Sequence, residues 1–186
     1  MVGADKLVIA VSGFHGTGKS TIAKLLAERY GLRYVSSGMI FRNIAKDMGL
    51  SLEELSRLAE SKPDIDYAID DRLKNIARQG GVVADALLSG WMLKDIADIK
   101  IWFHAPLDVR IRRIAARENR GFDEVYKETL TREESEIRRF KKYYDIDLND
   151  LSIYDFVIST YPYSIKAVSS IVFAIIDGFL ESVGDE

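Results

Sequence analysis

The chain contains no cysteine, only two histidines, three prolines and a single glutamine, Gln79. Without cysteine there is no disulfide, no thiolate zinc site and no thiol nucleophile. His15 and His104 lie far apart in sequence and show no ligand-like spacing. Long apolar runs are missing too. The longest, Ile171–Ile176, falls far short of the ~20 residues that span a bilayer. Neither sign of charge dominates: 26 Lys and Arg against 29 Asp and Glu leave a net −3. Nothing global therefore points to a nucleic-acid or membrane partner. Leu7–Val11 is too short for the apolar core of a signal peptide, so a cytoplasmic location is expected. Scarce glutamine and absent cysteine match the depletion seen in heat-stable proteins. No repeat or low-complexity linker interrupts the 186 residues, enough for one ample core.

What is present is a glycine-rich turn, Gly13-Phe14-His15-Gly16-Thr17-Gly18-Lys19-Ser20, followed by Thr21. It fits G-x-x-x-x-G-K-[ST], whose backbone N–H groups cradle nucleotide phosphates. The flanks fit as well. Leu7–Val11 is a continuous apolar run rich in β-branched residues, as in a buried parallel strand. Ile22, Leu25, Leu26 and Arg29 or Tyr30 recur at helical spacing until Gly31. Gly13, Gly16 and Gly18 permit positive φ and close approach to phosphate, and the following helix points its amides and dipole at the anion. Lys19 is expected to reach the β- and γ-phosphates and Ser20 to ligate Mg²⁺. Gly13, His15, Gly16, Thr17, Gly18, Lys19, Ser20 and Thr21 are thus the expected nucleoside triphosphate-binding set.

Further strands are expected at Arg33–Ser36, Val82–Asp85, Lys100–Ala105 and Asp155–Ser159. Between them, helices follow Ser37-Gly38, the capping box Ser51-Leu52-Glu53-Glu54, Pro63-Asp64 and Pro106. Residues Phe122 to Tyr144 read as one long charged helix or two pieces. Ser164 caps a last helix, with Ile165, Val168, Ile171, Val172, Ile175 and Phe179 expected to pack inward. Strands alternating with helices imply an α/β fold: one five-stranded parallel sheet flanked by helices. Ligands bind outside the carboxyl ends of such strands, where the glycine turn, Ser37-Gly38, Asp85 and Ala105-Pro106 converge. Asp85 is therefore expected to hold Mg²⁺ directly or through water, with a plain strand-end cap as the alternative.

Leu107–Lys142 carries 11 of the 26 basic residues, eight of them arginines: Arg110, Arg112, Arg113, Arg117, Arg120, Arg132, Arg138 and Arg139. Eight acids are interleaved, so Arg110, Arg120 and Arg138 are read as a solvated face. Transfer of a phosphoryl group between two anions nevertheless needs several cations, and a mobile flap can supply them while excluding water. A GTPase is excluded, because neither an Asn/Thr-Lys-x-Asp guanine reader nor an Asp-x-x-Gly switch occurs.

Over nearly its whole length the chain resembles the cytidylate kinases, most closely the short archaeal type. Lys19–Ala27 resembles that family's phosphate loop and first helix, and Ser37-Gly38-Met39-Ile40-Phe41-Arg42 its monophosphate motif. Arg132-Glu133-x-x-Glu136-x-x-Arg139 is similar to its Arg-Asp-x-x-Asp-x-x-Arg lid motif, and Asp147–Asp155 to the stretch before its last strand. The resemblance implies a P-loop kinase fold in a single domain spanning 1–186. Its core would be residues 5–36, 81–110 and 151–182, with an acceptor-binding helical segment near 37–80 and an arginine-rich lid near 111–145. It implies phosphoryl transfer from Mg²⁺-ATP to a small acceptor, CMP or dCMP. Ser37 and Arg42 would hold the acceptor with Gly38 and Glu136, and Arg132 and Arg139 would act on the phosphates.

Spacing agrees at several of these positions. Arg42 lies one turn beyond Ser37-Gly38, and Arg132 and Arg139 are two turns apart on one face. Arg113 and Arg117 share a face and are candidates for the donor triphosphate. Arg72 is a further acceptor candidate or a surface ion pair, and His15 is read as an exposed loop tip that alternatively reaches the acceptor. One departure stands out: Leu87 occupies a position where the family carries arginine, with Ala86 where glycine is usual and Phe14-His15 where proline is common. Either Arg42 or Arg72 compensates, or the acceptor is not CMP. An adenylate, shikimate or dephospho-coenzyme A kinase is the first alternative, although Gly80-Gly81 falls short of the shikimate kinase glycine triplet. An ATP-binding regulatory protein without kinase activity is the second. Oligomeric state is not indicated by the sequence.

Overall fold

A computed structural model describes residues 5–184, so 1–4 and 185–186 of the expected domain lie outside the described residues. The strands are β1 (Val8–Ser12), β2 (Arg33–Ser36), β3 (Val82–Asp85), β4 (Ile99–His104) and β5 (Phe156–Ser159). They form one parallel sheet in the order β2-β3-β1-β4-β5. The central position of β1 explains its unbroken apolar run, since both of its faces are covered. Val8 and Ala10 join a cluster with α2 (Ser37–Met48), α3 (Leu52–Ser61), α4 (Pro63–Ala77) and the short α5 (Ser89–Met92). Leu7, Ile9 and Val11 face the opposite cluster, built with α1 (Lys19–Tyr30) and α8 (Ile165–Gly184). The alternation is the period-two pleat of a strand.

Helix boundaries follow the local chemistry. Gly31 and Gly49 end α1 and α2 in the left-handed conformation. Ser51 and Glu54 make the reciprocal capping box that starts α3. The cap of α2 is Ser36, whose Oγ accepts from Met39 N–H at 3.2 Å, which makes Ser37 the first helical residue. α6 (Leu107–Glu118) leads to α7 (Phe122–Tyr144), a single uninterrupted helix of 23 residues. The inward face expected for α8 needs correcting. Val168, Val172 and Ile176 are buried, but Ile165 and Ile171 are 59% and 47% exposed. Part of the apolar stripe of α8 is thus left facing solvent. No helix among the described residues is long and apolar enough to cross a membrane.

Candidate functional site

The glycine turn joins β1 to α1, and its shape is set by close backbone packing. Gly13 has φ 143°, and a Cβ there would lie 2.3 Å from the Phe103 carbonyl oxygen of β4. Gly16 has φ 77°, with the Arg110 carbonyl oxygen 2.5 Å from where a Cβ would stand. Side chains at these positions would both strain the backbone and collide with it. Thr17 turns inward, its hydroxyl donating to Phe14 O at 2.8 Å. Ser20 and Thr21 are exposed on the first turn of α1. Lys19 is partly buried, with Nζ 3.4 Å from Phe14 O. Burial lowers its ammonium below the usual 10.5, while Asp85, Glu136 and Glu133 pull the other way. A half-desolvated cation at the mouth of an N–H-lined loop favours a polyanion.

Asp85 ends β3 in register with Val11 of β1 and Ser36 of β2. Its Oδ2 accepts from the Tyr34 hydroxyl at 2.7 Å, whereas its buried Oδ1 has no hydrogen-bond partner. An orphaned carboxylate oxygen beside Lys19 fits a site for a hard cation. The Ser20 and Ser36 hydroxyls lie close to the Tyr34 hydroxyl. Burial, reinforced by the Asp85 charge, pushes Tyr34 up to about 12, so it remains a donor. Among the described residues no group of three or more His, Cys, Asp or Glu is placed to hold a metal. A cation here would take its remaining ligands from nucleotide phosphates and water, as Mg²⁺ commonly does.

α7 closes over the tip of the loop. His15 N–H donates to Glu133 Oε1 at 3.1 Å, and His15 Nε2 lies 2.8 Å from Glu136 Oε2. His15 is therefore tucked beneath a helix and is not the exposed tip expected from the sequence. The expectation for Arg110 also fails. It is 7% exposed, and its guanidinium reaches Glu133 twice, at 2.6 and 3.2 Å, and His15 O at 2.9 Å. It is a buried strut between α6, α7 and the loop. Arg113 donates to Thr17 O, Thr160 Oγ1 and Thr160 O, so its fork is spent on bracing the loop. Arg117, one turn on, pairs with Glu118 and makes no bond to the loop. Arg120 bridges Glu118, Glu124 and Glu128, and Arg138 sits with Glu134 on the exposed face, as expected.

The lid motif divides. Arg132 Nε donates to Glu136 Oε1 at 3.1 Å. Burial works to raise the Glu136 carboxyl, but His15 and Arg132 outweigh it and hold it at about 2. Arg139 lies 3.5 Å through Nε from Asp66 Oδ2 on α4. At the acceptor end, Ser37 and Gly38 open α2, and Arg42 is exposed and folds back over them. Its Nη1 is 3.5 Å from where a Cβ on Gly38 would stand. Arg72 is exposed on α4 and makes no hydrogen bond or ion pair with another described residue. Leu87 is 7% exposed within the core cluster of β3 and α5. Tyr34, Thr160, Asp66 and Asp70 were not expected here. The first two are ordinary residues made notable only by strand register, and the acids sit where nothing local marks them.

A parallel 2-3-1-4-5 sheet carrying this loop, a strand-end aspartate and an arginine-bearing helix over the loop defines a P-loop phosphotransferase fold. Among solved structures, shikimate kinase from Bacteroides thetaiotaomicron superposes with TM-score 0.63 at 13% identity, covering 92% of this chain and 98% of that one. An uncharacterized protein from Eubacterium ventriosum gives 0.71 at 18% identity, covering 92% and 99%. These likenesses concern the fold alone. The model of the cytidylate kinase-like family matches residues 8–161. A cytidylate kinase of Pyrococcus horikoshii is 47% identical over 181 residues, 97% of this chain and 93% of that one. One from Methanocaldococcus jannaschii is 48% identical over 174 residues, 92% and 98% of the two chains. The chain belongs to the cytidylate kinase-like family.

Proposed function

We propose that the protein transfers the γ-phosphoryl group of ATP to CMP or dCMP, in the cytoplasm, giving ADP and the nucleoside diphosphate. An oxygen of the acceptor's phosphate attacks the γ-phosphorus as the bond to the β,γ-bridging oxygen breaks. Membership in the family and the relatives' activity support this reading. The observation that carries it is the meeting of Lys19, the orphaned Asp85 Oδ1 and the amide-lined loop at one rim of the sheet. The loop's N–H groups hold the donor phosphates, and Lys19 spreads the charge that develops between β- and γ-phosphates. Ser20 and Asp85 would hold Mg²⁺, which would supply charge neutralisation to the phosphates. Arg42 fixes the acceptor phosphate, and Arg132 and Arg139 reach the group in transfer from α7. Little covalent chemistry is asked of the chain, so alignment supplies most of the rate.

Leu87 bears on the acceptor. Its side chain is enclosed by core residues and donates nothing, which leaves Arg42 as the cation beside Gly38 and Arg72 as a more distant reserve. The test is ADP formation with CMP, dCMP, UMP, AMP, GMP, shikimate and dephospho-coenzyme A in turn. CMP and dCMP should give the highest kcat/KM, and Lys19→Ala should lower turnover by about 10²–10³-fold. Preference for another acceptor would reassign the substrate. ATP hydrolysis indifferent to all seven, or wild-type turnover in Lys19→Ala, would remove the kinase reading or the residue's role in it.

A further inference from the structure

The two arginines of the lid motif are held in the same unusual way. Arg132 Nε donates a hydrogen bond to Glu136, and Arg139 Nε faces Asp66 across an ion pair of 3.5 Å. In neither does a terminal nitrogen form a hydrogen bond with another described residue. Arg110 and Arg113 show the contrast, since both spend their terminal nitrogens on protein acceptors. A guanidinium held at Nε keeps its two-nitrogen end free, and that end matches two oxygens of a phosphoryl group. The grips differ in origin. Glu136 lies one turn from Arg132 on the same helix, whereas Asp66 comes from α4, in the acceptor-side segment.

Asp66 has little other purpose where it stands. It is 8% exposed, and its Oδ2 and the Arg139 Nε are both buried atoms without a hydrogen bond. An unpaired buried carboxylate is costly, and Arg139 is the cation that offsets it. The Glu136 charge adds to that cost. The 3.5 Å separation is longer than the ~2.8 Å of a charge-assisted bond, so a small rotation of either side chain completes the contact.

We propose that Asp66 is a positioning residue: it seats Arg139 by its Nε so that the free end of the guanidinium addresses the phosphoryl group in transfer. Presentation of that arginine then depends on the acceptor-side segment as well as on the lid. The inference rests on the reading of Arg139 as a phosphate contact. The test is a double-mutant cycle on the full chain, with Asp66→Asn, Arg139→Ala and their combination, measuring kcat and both KM values at temperatures where melting curves show each protein folded. Asp66→Asn should lower kcat by about 10–100-fold with KM for ATP little changed, and should do nothing more once Arg139 is alanine. Asp66→Glu should restore part of the loss, and it replaces Asp66→Asn in the cycle if that variant does not fold. Losses that multiply in the double variant, or wild-type kcat in Asp66→Asn, overturn the proposal. Wild-type kcat in Arg139→Ala would instead remove the reading beneath it.

Discussion

Asp70→Asn should make the protein more stable at alkaline pH and change nothing in acid. Asp70 is buried on α4, where it accepts a hydrogen bond from the Tyr144 hydroxyl at the end of α7. Burial pushes its carboxyl up from 3.8 to about 6; the Tyr144 bond opposes this and neighbouring Asp66 adds to it. Between those two values the native protein keeps a proton that the unfolded chain has released. Where the unfolded state binds fewer protons, stability falls as pH rises. Below both values the residue is neutral in both states and contributes no slope. Above both, the accumulated loss is constant: about two pH units at ~1.4 kcal/mol each, or ~3 kcal/mol. Asparagine keeps an oxygen for Tyr144 and has no charge to desolvate, so it escapes the loss. Urea melts of both proteins at about pH 3, 6 and 8 measure it. The curves should coincide at the acid end and separate as pH rises, with the variant above. Parallel curves, or a variant weaker at pH ~8, would refute the reasoning.

Two further outcomes are expected. Glu133→Ala strands Arg110 beneath the loop, and breaking a buried pair from one side costs ~3–5 kcal/mol. Thermal melts should show it, while the paired replacement Arg110→Met with Glu133→Leu should recover much of the stability. A Glu133→Ala protein as stable as the parent would show that the strut carries nothing. Tyr34→Phe frees Asp85 Oδ2 from its donor and lets the carboxylate swing. Losing about 1.4 kcal/mol of orientation corresponds to tenfold weaker divalent binding. Mn²⁺ titration by electron paramagnetic resonance, with a non-hydrolysable ATP analogue bound, reads that directly, and unchanged affinity would dismiss Tyr34 from the site.

Much of the framework is local in origin and so was readable from the chain. The β-branched run of β1, the capping box of Ser51 and Glu54, and the glycine stops after α1 and α2 each act within a few residues. What could not be read depends on partners distant in sequence. Arg110 looks like any arginine of a charged helix until α7 brings Glu133 against it. Tyr34 and Asp85 meet only because β2 and β3 are neighbours in the sheet. Ile165 and Ile171 belong to an apolar stripe at helical spacing, yet periodicity cannot say which part of such a stripe finds a packing partner. α5, at four residues, is barely one helical turn and too short to repeat a pattern. Nothing local marks Asp66 and Asp70, because α7, which covers them, begins far along the chain.

The length of α7 has a mechanical consequence. At ~1.5 Å per residue the helix is a rod of roughly 35 Å. Near its middle it bears on the glycine loop through Glu133 and Glu136, and from Ser135 onward it also meets α3 and α4 through Ser135, Arg139, Tyr143 and Tyr144. No proline or glycine breaks it between those bearings. A stiff beam resting on two supports cannot lift from one without levering the other, so the glycine loop and the α3–α4 segment are tied to a single arm.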